Sequence, residues 1–257
     1  MKYLFVVLFL ALLPWGVVAQ AQENNSLVDT FAKLKPSVGA LYAQEQSGDL
    51  RFLCSATAIG REGKDTVILT AYHCMQRGVS YLVNFGDNTL RPLRVWKIPH
   101  YEVDSEKYPR RYGEPQTDAA LLLMPGQDIP IAAVAATSNV ETGARVAMVG
   151  YPLGVAKIAY EGGIAGRFDR IDADLQDYLL LQIFGAPGSS GSSVVSVETG
   201  EIVGVLVAAK SASVGLPVIF ATPIEYLEHL MPVLPEKASE VGAVPTSPPK
   251  DIPGQNR

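Results

Sequence analysis

Short apolar runs of strand length, broken by turn residues roughly every ten positions, constrain this chain more than any other feature it has. Six runs come first: Ser37–Ala43, Leu53–Ile59, Thr66–Thr70, Tyr81–Phe85, Leu93–Ile98 and Ala119–Met124. Six more follow: Ala144–Val149, Lys157–Tyr160, Tyr178–Ile183, Ser193–Val197, Ile202–Ala208 and Pro217–Thr222. Ser47-Gly48-Asp49, Gly60 to Gly63 and Gly86-Asp87-Asn88 separate the early runs, and Glu198-Thr199-Gly200-Glu201 reads as a hairpin turn. Helical period is confined to Ile224, Leu227, Leu230 and Met231, just after Pro223. Such a pattern predicts an all-β barrel or sandwich. Its division into two sets predicts two barrels, one over about 37–130 and one over about 138–222, joined near Gly126–Thr137, with a short C-terminal helix at 224–231. No internal repeat is visible. The glycines at 150–166 lack the Gly-Lys-Ser/Thr ending of a phosphate loop and read as a hairpin with tight turns.

Apolar residues make up 48% of the 257 positions and charged residues 18%, which suits a well-buried core over about 37–234. The tail 235–257 is rich in Pro, Ser, Lys and Glu and is expected to stay disordered. A net charge of −5 with no basic run excludes a nucleic-acid surface and leaves a peptide or protein partner open. Oligomeric state is not legible.

Lys2, the apolar run Tyr3–Leu13 and the small-x-small text Ala19-Gln20-Ala21 read as a signal peptide over 1–21. Residues 22–36 then form a polar lead, frayed at 22–30. The expectation is a secreted or periplasmic protein with no stable membrane insertion once the signal is removed, since the run is too short to span a bilayer comfortably. Export also gives the cysteines a meaning. Cys54 and Cys74 are the whole complement, and in an oxidising compartment an even pair normally closes. A loop of about 20 residues is worth roughly 3 kcal/mol in the chain-entropy picture. Two Cys and three scattered His do not give structural zinc spacing, so no metal and no cofactor are expected.

Three segments carry chemistry: Leu69-Thr70-Ala71-Tyr72-His73-Cys74, Thr117-Asp118-Ala119-Ala120-Leu121-Leu122 and Gly185-Ala186-Pro187-Gly188-Ser189-Ser190-Gly191. A serine hydroxyl becomes a nucleophile at neutral pH when a histidine takes its proton. The histidine in turn needs a carboxylate on its other nitrogen. A developing oxyanion needs backbone N–H groups fixed in advance, and a glycine two residues before the serine lets the chain turn to aim them. His73, Asp118 and Ser190 fit these roles, with Gly188 and Ser190 as N–H donors. Asp118 is preferred to Asp104 and Asp128 because an apolar strand follows it. Ser190 is preferred to Ser189, Ser192 and Ser193 on the oxyanion argument. His100 and His229 read as non-catalytic.

These segments resemble the trypsin-like (chymotrypsin-fold) serine proteases, and in particular their bacterial HtrA-like branch, with no PDZ domain expected. Thr70-Ala71-Tyr72-His73-Cys74 is similar to the family's Ala-Ala-His-Cys, Asp118-Ala119-Ala120-Leu121 to its Asp-Ile-Ala-Leu, and Ser190-Gly191 to its Ser-Gly. Ile202-Val203-Gly204-Val205 resembles the strand after the nucleophile. The resemblance implies two six-stranded antiparallel barrels, a serine endopeptidase with a Ser-His-Asp mechanism, and a Cys54–Cys74 bridge stapling the histidine loop. Ser189 replaces the Asp that pairs with a freshly cut N-terminus in trypsin itself, so no zymogen cleavage of that kind is expected. Phe184 stands where trypsin has its specificity Asp, and Ala209 and Val218 fall on the strands lining that pocket. The preference expected is for small or apolar side chains. Two other readings are weighed. A catalytically inactive protease-like binding module would lose a triad member, and an α/β-hydrolase would reverse the order His, Asp, Ser.

Overall fold

A computed structural model of the chain describes residues 26–97, 118–168, 178–210 and 218–227. The signal segment, Asp104, His100, His229, residues 228–231 of the expected helix and the tail lie outside them.

Twelve described strands close into two barrels. The first holds β1 (Val38–Gln44), β2 (Leu50–Glu62), β3 (Asp65–Thr70), β4 (Ser80–Asn84), β5 (Arg91–Lys97) and β6 (Ala120–Pro125). Its order around the barrel is β1-β2-β3-β6-β5-β4, with β4 closing antiparallel on β1. The second holds β7 (Arg145–Gly150), β8 (Ile158–Phe168), β9 (Tyr178–Gln182), β10 (Ser193–Ser196), β11 (Ile202–Lys210) and β12 (Val218–Pro223). Its order, β7-β8-β9-β12-β11-β10, is the same winding, again fully antiparallel. The repeat that the sequence hides is therefore a repeat of topology. Closure leaves no edge strand exposed, and the alternating side chains fill each interior. Leu41, Ile68, Leu69, Leu121 and Leu123 of the first barrel are fully buried, as are Met148, Leu179, Leu181, Ile202 and Ile219 of the second. Each such side chain contributes about 1.5–3 kcal/mol by leaving water.

Three local expectations change. Residues Leu27–Leu34 form a helix, α1, whose first four residues fall in the stretch 22–30 expected to be frayed. Ser26 and Asp29 make a reciprocal capping box, satisfying two orphan N–H groups, while Thr30 and Leu34 are buried. The hairpin expected over 150–166 is formed by β7 and β8, but Gly162, Gly163 and Gly166 lie inside β8 and not at its turn. A Cβ on Gly162 would fall 2.2 Å from the Gln182 carbonyl oxygen, so glycine here permits the close approach of β9. The tight turn is confined to the 3₁₀ segment Pro152–Gly154. At the C-terminal end the described residues Ile224–Leu227 form a 3₁₀ turn.

The connection from β6 to β7 runs across both barrels. The Ala132 N–H donates to the Ala58 carbonyl of the first, and Val134 bridges to Ile202 of the second. Side chains also cross the seam: buried Ser193 Oγ donates to Thr57 Oγ1 at 2.7 Å. The seam is where the residues of interest converge.

Candidate active site

His73 stands in a 3₁₀ turn, Tyr72–Cys74, at the end of β3. Asp118 lies two residues before β6, next to buried Ala119, and β6 is the strand paired with β3. Their register, Thr70 opposite Ala120, brings the two together. Asp118 Oδ1 accepts the His73 backbone N–H at 2.8 Å, and Asp118 Oδ2 lies 2.7 Å from His73 Nδ1. Both carboxylate oxygens are thus used, one fixing the turn and one fixing the ring. A carboxylate there can only accept, so the neutral ring carries its proton on Nδ1, which leaves the Nε2 lone pair free. The Asp118 hydrogen bond raises the His73 pKa above its ordinary value, and partial burial opposes it. Asp128 instead pairs with Arg91 at 3.1 Å on the surface, away from His73.

The Cys54–Cys74 disulfide is present and anchors this turn to β2. The two sulfurs and a His73 ring nitrogen lie within 4.8 Å of one another. Both sulfurs are spent in a covalent bond, so the group is not a set of thiolate metal ligands.

Ser190 lies in the loop leading into β10. Its carbonyl accepts the Ser55 N–H at 2.9 Å, and Gly191 N–H donates to Leu206. Among the described residues no hydrogen bond joins Ser190 Oγ to His73. Contacts of this kind are often long in a free enzyme and tighten with substrate. The backbone is what draws the two loops together: a Cβ on Gly191 would fall 3.1 Å from the Ala71 nitrogen, two residues before His73.

The loop before Ser190 is tied at each peptide. Pro187 O accepts from Leu153 N–H at 2.7 Å, Gly188 O accepts from Ser55 Oγ at 2.9 Å, and Ser189 N–H donates to Ala186 O at 2.9 Å. Ser189 is fully buried, and its hydroxyl oxygen accepts the Ala186 N–H at 3.2 Å. Among the described residues the N–H groups of Gly188 and Ser190 have no acceptor. Gly188 carries φ +88, and a Cβ there would meet the Phe52 ring at 2.5 Å. Leu153, Tyr151 and Ser55 are members of this site that sequence reading misses. Ser55 lies 133 residues from the carbonyl it holds, and only the closing of two barrels brings them together.

Phe184 is half-exposed and its ring lies 4.5 Å from that of Tyr160. Ala209 pairs with Ile219 across β11 and β12, and Val218, one residue earlier, is exposed. Gly185 abuts Ile219, since a Cβ there would fall 2.7 Å from its Cδ1. Ser192 is the one loop hydroxyl among the described residues left buried without a partner. It occupies space that Gly150 vacates, 1.8 Å from where a Cβ would sit. Ser192→Ala is therefore expected to gain up to about 1 kcal/mol in unfolding free energy, because no hydrogen bond is lost. A urea titration showing a clear loss would mean the hydroxyl has a partner.

Two closed barrels of one winding, with a histidine–carboxylate pair on the first and a glycine-flanked serine loop on the second, define the trypsin-like double-barrel class. The chain belongs to the trypsin-like peptidase domain family, whose characteristic sequence matches residues 54–205. Among solved structures, the HtrA-type protease AlgW with tripeptide superposes with a TM-score of 0.62 at 21% identity, covering 78% of this chain and 60% of that one. AlgW with decapeptide gives 0.62 at 19%, covering 78% and 65%. The chain thus spans less than two thirds of these proteins, and the likeness is one of fold. No curated protein matches the chain in sequence. Among the described residues no helix is long and apolar enough to cross a membrane.

Proposed function

We propose that the chain is a serine endopeptidase that hydrolyses peptide bonds in peptide or protein substrates outside the cytoplasm. The observation that carries this reading is the two-point hold of Asp118 on His73, through Nδ1 and through the backbone N–H. In the proposed reaction Nε2 of His73 removes the Ser190 Oγ proton as Oγ attacks the scissile carbonyl. The N–H groups of Gly188 and Ser190, both without an acceptor among the described residues, receive the oxyanion. The imidazolium, stabilised by Asp118, then passes its proton to the leaving amine, and water repeats the sequence on the acyl-enzyme. Phe184, Ala209 and Val218 are proposed to shape the specificity pocket, which favours small or apolar side chains because none of the three is acidic. Ser189, bonded within its own loop, supports activity without a trypsin-style N-terminal cut.

A fluorophosphonate probe tests the reading on the chain freed only of its signal segment. Wild type is expected to label in a pH-dependent manner and Ser190→Ala not at all. Unlabelled wild type would point to the inactive binding module. Labelling that requires a further N-terminal cut would overturn the claim of readiness.

A further inference from the structure

Resting on the peptidase reading above, we propose that the buried hydroxyl of Ser55 is a positioning device that sets the orientation of the oxyanion loop from the opposite barrel. Ser55 lies in β2 of the first barrel and is fully buried. All of its polar atoms are used. Its N–H donates to Ser190 O at 2.9 Å, and its carbonyl accepts from Thr70 Oγ1 at 2.8 Å. Its hydroxyl accepts the Tyr151 N–H at 2.8 Å and donates to Gly188 O at 2.9 Å. One residue thus touches the nucleophile, the strand leading to His73, the carbonyl side of the oxyanion loop and the turn that braces it.

The direction of the hydroxyl follows from its partners. Tyr151 N–H can only donate and Gly188 O can only accept, so the single hydroxyl proton goes to Gly188 O. That carbonyl belongs to the same peptide plane as Ser189 N–H, which is held by Ala186 O. The plane is therefore fixed at both edges. The preceding plane carries Pro187 O, held by Leu153 N–H, and Gly188 N–H on its opposite edge, because no peptide bond among the described residues is cis. Gly188 is the hinge between the two planes, with the backbone freedom that only glycine has at φ +88. Rotation of the first plane about that hinge would aim Pro187 O where the oxyanion must bind. Ser55 and Leu153 block that rotation from its two sides. They are also coupled to each other: Tyr151 N–H, which Ser55 accepts, sits two residues before Leu153 in the same turn, and Leu153 itself is held at a left-handed φ of 58°.

The test compares Ser55→Ala with Ser193→Ala. The second variant removes a different buried hydroxyl tie across the same seam, to Thr57, without touching the oxyanion loop. Ser55→Ala is expected to lower kcat about 10- to 100-fold with KM within about twofold, somewhat less than outright loss of an oxyanion donor. A peptide boronate, whose tetrahedral adduct uses the same N–H groups, is expected to weaken by the same factor. Ser193→Ala is expected to lose stability alone, with kcat within about twofold of wild type. Amide hydrogen exchange on the resting chain gives a readout independent of turnover. Ser189 and Tyr151 N–H are expected to exchange at least about tenfold faster in Ser55→Ala and unchanged in Ser193→Ala, since each loses its fixed partner or plane only in the first. Unchanged kcat in Ser55→Ala, or an equal fall in both variants, overturns the positioning role. Protected Ser189 and Tyr151 amides in Ser55→Ala overturn the tie itself. An inactive wild type with the exchange result intact would sink the peptidase reading while leaving the tie in place.

Discussion

Asp118→Asn is expected to lower kcat at neutral pH by about 10⁴-fold, the loss seen when a triad carboxylate becomes an amide. The geometry explains why the effect should be so large for so small a change. Asp118 accepts twice from His73, once from Nδ1–H and once from the backbone N–H. An asparagine has one oxygen to accept with and an NH₂ group that donates. If its oxygen keeps the backbone N–H, its NH₂ faces Nδ1 and forces the other tautomer. The proton then sits on Nε2, where the lone pair is needed. The ring stays in place, and the base is lost. Fold and stability should change little, because the side chain keeps its volume and the pair is part-exposed. A steady-state assay beside a thermal melt checks both halves. A variant with near wild-type kcat would remove Asp118 from the mechanism.

The same contact sets a pH dependence. Asp118 raises the His73 pKa above its ordinary value of 6.5, chiefly through the hydrogen bond. The proposed mechanism needs neutral His73, so the acid limb of kcat/KM should have its midpoint above 6.5 and follow one proton. The linkage to stability has the opposite sense. A histidine whose folded pKa is raised stabilises the fold fully below its unfolded pKa, and this contribution fades as pH climbs through the raised value. The protein should therefore gain activity and lose a little stability across the same window. In Asp118→Asn the acid limb of the residual activity should move down.

How much of this was legible follows from where the information lies. His73, Asp118 and Ser190 stand out because each is marked by its own neighbours: a cysteine, an apolar strand and flanking glycines. The strands were legible because several, such as β3, β6 and β7, are buried along almost their whole length and so read as short continuous apolar runs between turn residues. β2 and β8 run well beyond the apolar runs that announce them, since their outer ends pair through backbone atoms and need no apolar side chain. Helix α1 escaped because eight residues carry too short a period, and its capping box spans only Ser26 to Asp29. Ser55 was not legible at all. Its importance lies in what the second barrel presents to it, and no local text records that.

Gly191→Ala should be the most damaging single-methyl change in the chain among the described residues, destabilising by about 2–4 kcal/mol. That is a large share of the roughly 5–15 kcal/mol that holds such a domain together. Two costs combine. Gly191 has φ +79, a conformation side chains disfavour. A Cβ there would also lie 2.1 Å from Ser55 O and 2.5 Å from Thr70 Oγ1, the two ends of one buried hydrogen bond. Neither atom is the far end of a flexible chain. To admit the methyl, the Ser190 loop must lift off the first barrel, which breaks the Ser55–Ser190 backbone bond and parts Ser190 from His73. Gly200→Ala separates the two costs. Gly200 has a similar φ of 73° but nothing within 4 Å of its Cβ position. It should lose only about 1 kcal/mol, the backbone share, and keep full fluorophosphonate labelling. Urea midpoints and labelling rates for the two variants decide the matter. Equal losses in both would mean that backbone strain alone matters at Gly191, and that the contact between the serine loop and Ser55 is looser than the geometry implies.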